Sequence, residues 1–325
     1  MRYRPLGSIG IEVSGLAFGA GPISGLMTGA DTAKQAAVVR RAVDVGINWF
    51  DTAATYGNGQ SEASLGEALR AADAIERVHV ATKVRLLPEH LSNIGSAVRA
   101  SVEASLKRLG VPRVTLLQLH NSITAARGDE PTSLTPRDVL GPGGVLDAFR
   151  RLRDAGLVSH LGLTAIGQAR PLHEVVSSGE FATIQVPFSL ANPSAGHTIP
   201  SSFPEANYGN IITECERRRM GVFAIRVFAG GALLGQPPSP YTFQTRFFPL
   251  DLFLRDEQRA ERLRQILDGS GLSLREAALR FVLSHPAVTS AIVGFGDLRH
   301  IDDAVGAAEA GPLAPELIAA LLRVT

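Results

Sequence analysis

Short apolar and β-branched runs recur along the chain, and each is followed by an amphipathic stretch of helical period. The runs cover residues 16–20, 47–52, 78–84, 114–120, 160–164, 183–188, 221–227 and 291–294, which predicts eight strands. Helices are predicted to begin near Thr32, Ser61, Ser92, Gly144, Gly167, Tyr208 and Ser273, with cap signals at Asp31-Thr32 and at Ser273-Leu274-Arg275-Glu276. Strands apolar on both sides and alternating with helices are parallel strands covered by helices. Eight such units predict an α/β chain folded as a closed (β/α)8 TIM barrel, one domain spanning residues 1–325.

Two features sit outside that alternation. Residues 2–13 read as a β-hairpin with Gly7 and Gly10 in its turn, placed to cap one end of the barrel. Long loops rich in Gly, Pro and Ser follow the fourth, sixth and seventh strands, among them residues 121–143 and 231–256. They leave the C-terminal ends of strands, where barrels assemble binding sites.

Composition narrows the function. A 325-residue chain that is 45% hydrophobic supports a large core, and a net charge of +1 supplies no field to gather a polyanion, which excludes nucleic acid as a partner. No apolar run approaches the roughly 18 residues that span a bilayer, and the start lacks an apolar signal core, so a cytoplasmic protein with no membrane partner is expected. Oligomer formation stays open. Cys215 is the only cysteine and reads as packing; His79, His90, His173, His197 and His285 lack short ligand spacing, so no metal is expected.

The chemistry concentrates at strand ends. Asp51 closes the second predicted strand, Lys83 the third and His120 the fourth, while Tyr56 stands in the loop after Asp51. Barrel geometry converges those ends, and a buried Asp beside a buried Lys calls for mutual neutralisation. The pair is either a structural salt bridge or something more: an ammonium near Tyr56 lowers the phenol from about 10 and makes it a usable acid. Carbonyl reduction needs a proton donor and a group that orients the oxygen, roles that Tyr56 and His120 fit.

The run from Asp51-Thr52-Ala53 through Tyr56-Gly57, Ser61-Glu62 and Leu65-Gly66 to Ala68-Leu69 resembles the signature of the aldo-keto reductase superfamily. The opening from Arg4-Pro5-Leu6-Gly7 to Val13-Ser14 and the strand Leu16-Ala17-Phe18-Gly19 are similar to the family's first elements. The resemblance implies a catalytic tetrad of Asp51, Tyr56, Lys83 and His120, and a nicotinamide cofactor, NAD or NADP. Cofactor contacts are implied at Gly19, at Thr164 (followed by Ala165 where the family has Asn) and at Gln185. Arg226 stands where an aromatic ring usually stacks on the nicotinamide, and either stacks in its place or pairs with a loop carboxylate; Phe228 is the neighbouring alternative. Gly294, Gly296, Asp297, Arg299 and His300 form the turn and helix start expected to hold the adenosine end. Asp297 would accept from a ribose hydroxyl and favour NAD, whereas Arg299 would bind the 2′-phosphate of NADP.

The resemblance therefore implies an NAD(P)-dependent oxidoreductase acting on a small carbonyl, alcohol or aldose. The style of the seventh strand, Ile225 to Gly231, is similar to a bacterial branch with D-threo-aldose 1-dehydrogenase-like enzymes, which implies oxidation of a sugar hemiacetal. The other reading is a cofactor-binding regulatory or sensor protein on the same fold, as in potassium-channel β subunits. Phe247-Phe248 is a candidate substrate contact, whereas Gly19 to Gly25 lacks the spacing of a dinucleotide-binding turn, and Pro22 is awkward within one.

Overall fold

The computed structural model describes residues 1–324. The predicted hairpin is present as β1 (Tyr3–Pro5) paired antiparallel with β2 (Glu12–Ser14). Eight parallel strands follow: β3 (Leu16–Gly19), β4 (Trp49–Asp51), β5 (His79–Val84), β6 (Val114–Leu119), β7 (Val158–Thr164), β8 (Thr183–Pro187), β9 (Gly221–Ile225) and β10 (Ser290–Gly294). They pair in chain order, and β10 closes the barrel against both β9 and β3.

The hairpin stops one mouth of the barrel by burying apolar side chains. Leu6 and Val13 join Ala17, Trp49, Ala81, Leu116 and Phe223 in an interior cluster, where the rings of Trp49 and Phe223 lie 4.7 Å apart. Gly7 is required in the turn: its φ is +57°, and a Cβ there would come within 2.5 Å of the Arg219 carbonyl oxygen. The larger core lies between the strands and the outer helices.

Those helices are α1 (Thr32–Asp44), α2 (Gln60–Ala71), α3 (Ile94–Leu109), α4 (Pro136–Leu140), α5 (Val145–Asp154), α6 (Ala169–Ser177), α7 (Ile211–Arg217), α8 (Leu250–Leu267), α9 (Leu274–Ser284), α10 (Leu298–Glu309) and α11 (Pro315–Leu322). Both predicted caps form: Asp31 accepts from the Lys34 amide, and Ser273 from that of Glu276. The expected loop 231–256 instead gives way to α8 at Leu250. Its buried stripe of Phe253, Ala260, Leu263 and Leu267 is interrupted by Asp256 and Arg259, also buried, which hides the period. Glu205 accepts from Arg259 at 2.7 Å, and Asp256 accepts from Arg259 at 2.9 Å, so the interruption is electrically closed.

Gly66 of α2 sits against the end of α3, where an added methyl would meet the Leu109 carbonyl oxygen. Ala in a helix interior usually gains about 0.5–1 kcal/mol over Gly. Here overpacking reverses the sign, and Gly66→Ala should lose about 1–3 kcal/mol, read from the urea midpoint. An unchanged or raised midpoint would contradict this packing.

Candidate active site

The C-terminal strand ends open into a cavity of about 1200 Å³. Register brings the predicted group together, since Asp51 on β4 pairs with Ala81 on β5, and Lys83 pairs with Gln118 on β6. Asp51 and Lys83 are 3% and 1% exposed, so each must find its partners inside the barrel. Lys83 Nζ forms an ion pair with Asp51 Oδ1 and donates to the Thr52 carbonyl at 2.9 Å. The other carboxylate oxygen accepts from Gln118 Nε2 at 3.1 Å and from Gln185 Nε2.

Tyr56 is carried to this pair by an unusual turn. Gly57, Asn58 and Gly59 take successive left-handed conformations, with φ of 56°, 52° and 92°, before α2 begins at Gln60. The turn leaves the phenol oxygen 3.3 Å from Lys83 Nζ. Two neighbouring residues brace it from below. Ser61 donates to the Ala20 carbonyl at 2.8 Å, and buried Glu62 accepts from Thr82 at 2.5 Å and from Arg108 at 2.7 Å. The Ser61-Glu62 dipeptide therefore locks α2 onto the strand ends.

Electrostatics differ from expectation at Tyr56. Burial raises the phenol pKa, Lys83 pulls it back, and the net direction is up rather than down. The phenol is therefore held protonated at neutral pH, the form that gives a proton. Burial also opposes the Lys83 ammonium, but Asp51 and Tyr56 together outweigh it and its net shift is up. His120 stands edge-on to Tyr56 with ring centroids 5.6 Å apart, and its Nδ1 lies 3.4 Å from Thr55 Oγ1. Burial, with Arg85 and Lys83 nearby, holds its pKa well below the usual 6.5, so the imidazole is neutral.

The sequence model of the Aldo/keto reductase family matches residues 15–324. The chain belongs to that family. Its members named among similar proteins include a pyridoxal 4-dehydrogenase of Microbacterium luteolum, 25% identical over 90% of this chain and 88% of that one. An L-galactose dehydrogenase of Arabidopsis thaliana is also 25% identical, over 94% and 88%. The barrel superposes on an aldo-keto reductase of Bacillus halodurans in its holo form with a TM-score of 0.75, at 22% identity over 100% of this chain and 96% of that one. The family and the names of its members make this chain one of the aldo-keto reductase oxidoreductases.

The cavity is lined by Gly19, Thr164, Gln185, Arg226, Phe228, Gly294, Gly296 and His300 of the predicted cofactor group, but not by Asp297 or Arg299. Asp297 is occupied elsewhere: its carboxylate caps α10 by accepting from the Arg299 amide at 3.1 Å and faces Lys34 at 3.7 Å. Gln185 donates one amide N–H to Asp51, which fixes the amide and leaves Oε1 without a hydrogen bond. Arg226 has φ of +58°, faces Asp256 at 3.9 Å and lies 3.7 Å from the Phe248 ring centroid, so it meets a carboxylate and stacks one face of its guanidinium on this chain's own phenylalanine. Sequence reading passed over Arg85 and Tyr241, which line the same wall as Tyr56 and Phe247. The signal for Arg85 was its position two residues beyond Lys83, on the same side of the strand.

The depressed His120 has a consequence for stability. Below about 6.5 an unfolded imidazole takes up a proton that folded His120 refuses, so stability falls as pH falls. A single such group contributes a slope of up to about 1.4 kcal/mol per pH unit. Denaturant titrations on the acid side of neutrality should therefore show a shallower slope for His120→Asn than for the wild type. Equal slopes would mean that the imidazole is not held neutral by the fold.

Proposed function

We propose that this protein is an NAD(P)-dependent oxidoreductase that moves hydride between the nicotinamide and a small carbonyl, alcohol or sugar hemiacetal, with Tyr56 exchanging the proton at the substrate oxygen. The observation that carries this reading is the Tyr56 phenol 3.3 Å from Lys83 Nζ on the wall of the cavity, next to neutral His120. The names of the pyridoxal and L-galactose dehydrogenases support it.

In reduction Tyr56 donates its proton to the substrate oxygen, and the Lys83 ammonium stabilises the phenolate that remains. Asp51 keeps Lys83 charged and in place. His120, as a neutral ring, has one N–H with which to hold the substrate oxygen, and its low proton affinity keeps it from competing with Tyr56 as the acid. In oxidation the phenolate takes the hydroxyl proton, and the ammonium favours that phenolate. When bound, the cofactor supplies or takes up the hydride.

The residues present suit a nicotinamide cofactor. Thr164 is 1% exposed, and its Oγ1 has no hydrogen-bond partner although the residue lines the cavity, so it offers an unspent donor and acceptor beside Gln185 Oε1. Gly294 and Gly296 keep the chain thin beside Ser24, where an added Cβ would stand 3.5 Å from the nearest atom. Of the two cofactors, NAD fits the opposite end better. Arg275 of α9 pairs with Asp303 of α10, and Arg264 of α8 faces Glu261 at 3.0 Å, so the two arginines lining the cavity at that end each already face a carboxylate.

Nicotinamide absorbance with aldoses and aldehydes tests the reading. Tyr56→Phe should lose about 10²–10⁴-fold in kcat/KM while cofactor affinity is retained, and NADP should bind at least about tenfold more weakly than NAD. Undiminished turnover in Tyr56→Phe would refute the proton role. Tight cofactor binding without turnover on any substrate would favour a regulatory protein.

A further inference from the structure

Arg85 follows the last residue of β5, and strand alternation sends it to the same side as Lys83. It lines the cavity with Tyr56, His120, Tyr241, Phe247 and Phe248. Its Cζ lies 4.6 Å from the centroid of the Phe247 ring, and Nη2 donates to the His120 carbonyl at 3.3 Å. The His120 residue therefore touches the Arg85 guanidinium through its backbone and the Tyr56 ring through its imidazole.

The surrounding cations are balanced and this one is not. Arg226 faces Asp256 at 3.9 Å, Arg264 faces Glu261 at 3.0 Å, and Arg275 pairs with Asp303. Arg85 forms no ion pair among the described residues, and its buried Nε has no hydrogen-bond partner. Desolvation of an unpaired charge costs several kcal/mol, and an aromatic cover with one long hydrogen bond recovers only part of it. Nη1 makes no hydrogen bond and Nη2 makes only the long one to the His120 carbonyl, so the Nη1–Nη2 edge of the fork is left to meet a ligand beside the Tyr56 phenol.

We propose that Arg85 receives an anionic group of the substrate, and that this protein acts on carbonyl or alcohol compounds carrying a carboxylate on the same small carbon skeleton. The proposal rests on the hydride-transfer reading above and names its substrate class. A guanidinium matches a carboxylate in two parallel N–H···O bonds. A monoanion is the fitting charge, since a phosphate dianion needs a second free cation and Arg226 already faces Asp256. The aromatic wall of Tyr241, Phe247 and Phe248 accommodates the carbon skeleton between the carboxylate and the reacting carbon.

The test compares 4-carboxybenzaldehyde with its methyl ester in wild type, Arg85→Leu and Arg85→Lys, using the cofactor that supports turnover. Leu leaves no orphaned carboxylate behind, and Lys keeps the charge without the fork. The wild type should favour the carboxylate by at least about tenfold in kcat/KM, mainly through KM. That ratio should fall to near unity in Arg85→Leu and lie between in Arg85→Lys. A wild-type ratio at or below unity, or one unchanged by Arg85→Leu, overturns the proposal. If no aldehyde is turned over in a Tyr56-dependent way, the hydride-transfer reading fails by itself, and calorimetry then decides the anion site. Benzoate should bind the cofactor-loaded wild type, but not Arg85→Leu, more tightly than methyl benzoate; equal affinities in the wild type overturn the assignment.

Discussion

The buried ion pair between Lys83 and Asp51 is the constraint from which the site follows. Neither group survives inside a barrel alone, and together they are still expensive unless every remaining lone pair and N–H is used. The fold meets that demand with Thr52, Gln118 and Gln185, and directs the last contact of Lys83 at the Tyr56 phenol. The interaction that closes the electrical account of the interior is thus also the one that biases a proton at the cavity wall.

Everything nearby serves to hold that geometry. Parallel register puts Lys83 two residues beyond Ala81, the partner of Asp51 on the adjacent strand, and the hairpin with Trp49 and Phe223 packs the opposite mouth. Ser61 and Glu62 anchor α2 behind the turn that presents Tyr56. Burial, the same force that makes the ion pair necessary, keeps His120 neutral and the phenol protonated.

Much of this was legible in the chain. Asp51, Lys83 and His120 each break an apolar strand at its end, and alternation of strand and helix is enough to bring those ends together. The hairpin announced itself through Gly7 and Gly10. Harder to see were features that depend on depth. A nearby ammonium is visible in sequence, but the competing desolvation of Tyr56 is not, so the direction of its shift was misjudged. Helix α8 was masked because Asp256 and Arg259 occupy its buried face and satisfy one another only in three dimensions. Asp297 reads in sequence as a ribose contact, and its local use as the cap of α10 is seen only in the structure. Arg85 passed unnoticed because a strand-end arginine is ordinarily paired, and its lack of a partner is a fact of packing alone.

The claim that most of this depends on is that the buried pair governs the Tyr56 proton. Titration of ¹³Cζ-labelled tyrosine by NMR, with the Tyr56 signal assigned from Tyr56→Phe, reads that ionisation directly. Replacing the pair by Asp51→Asn with Lys83→Met removes both charges without leaving either buried alone. Because Lys83 lowers the phenol by more than Asp51 raises it, the Tyr56 signal should titrate at higher pH in the double variant than in the wild type. A Tyr56 titration that stays where it was, or moves down, would contradict the account.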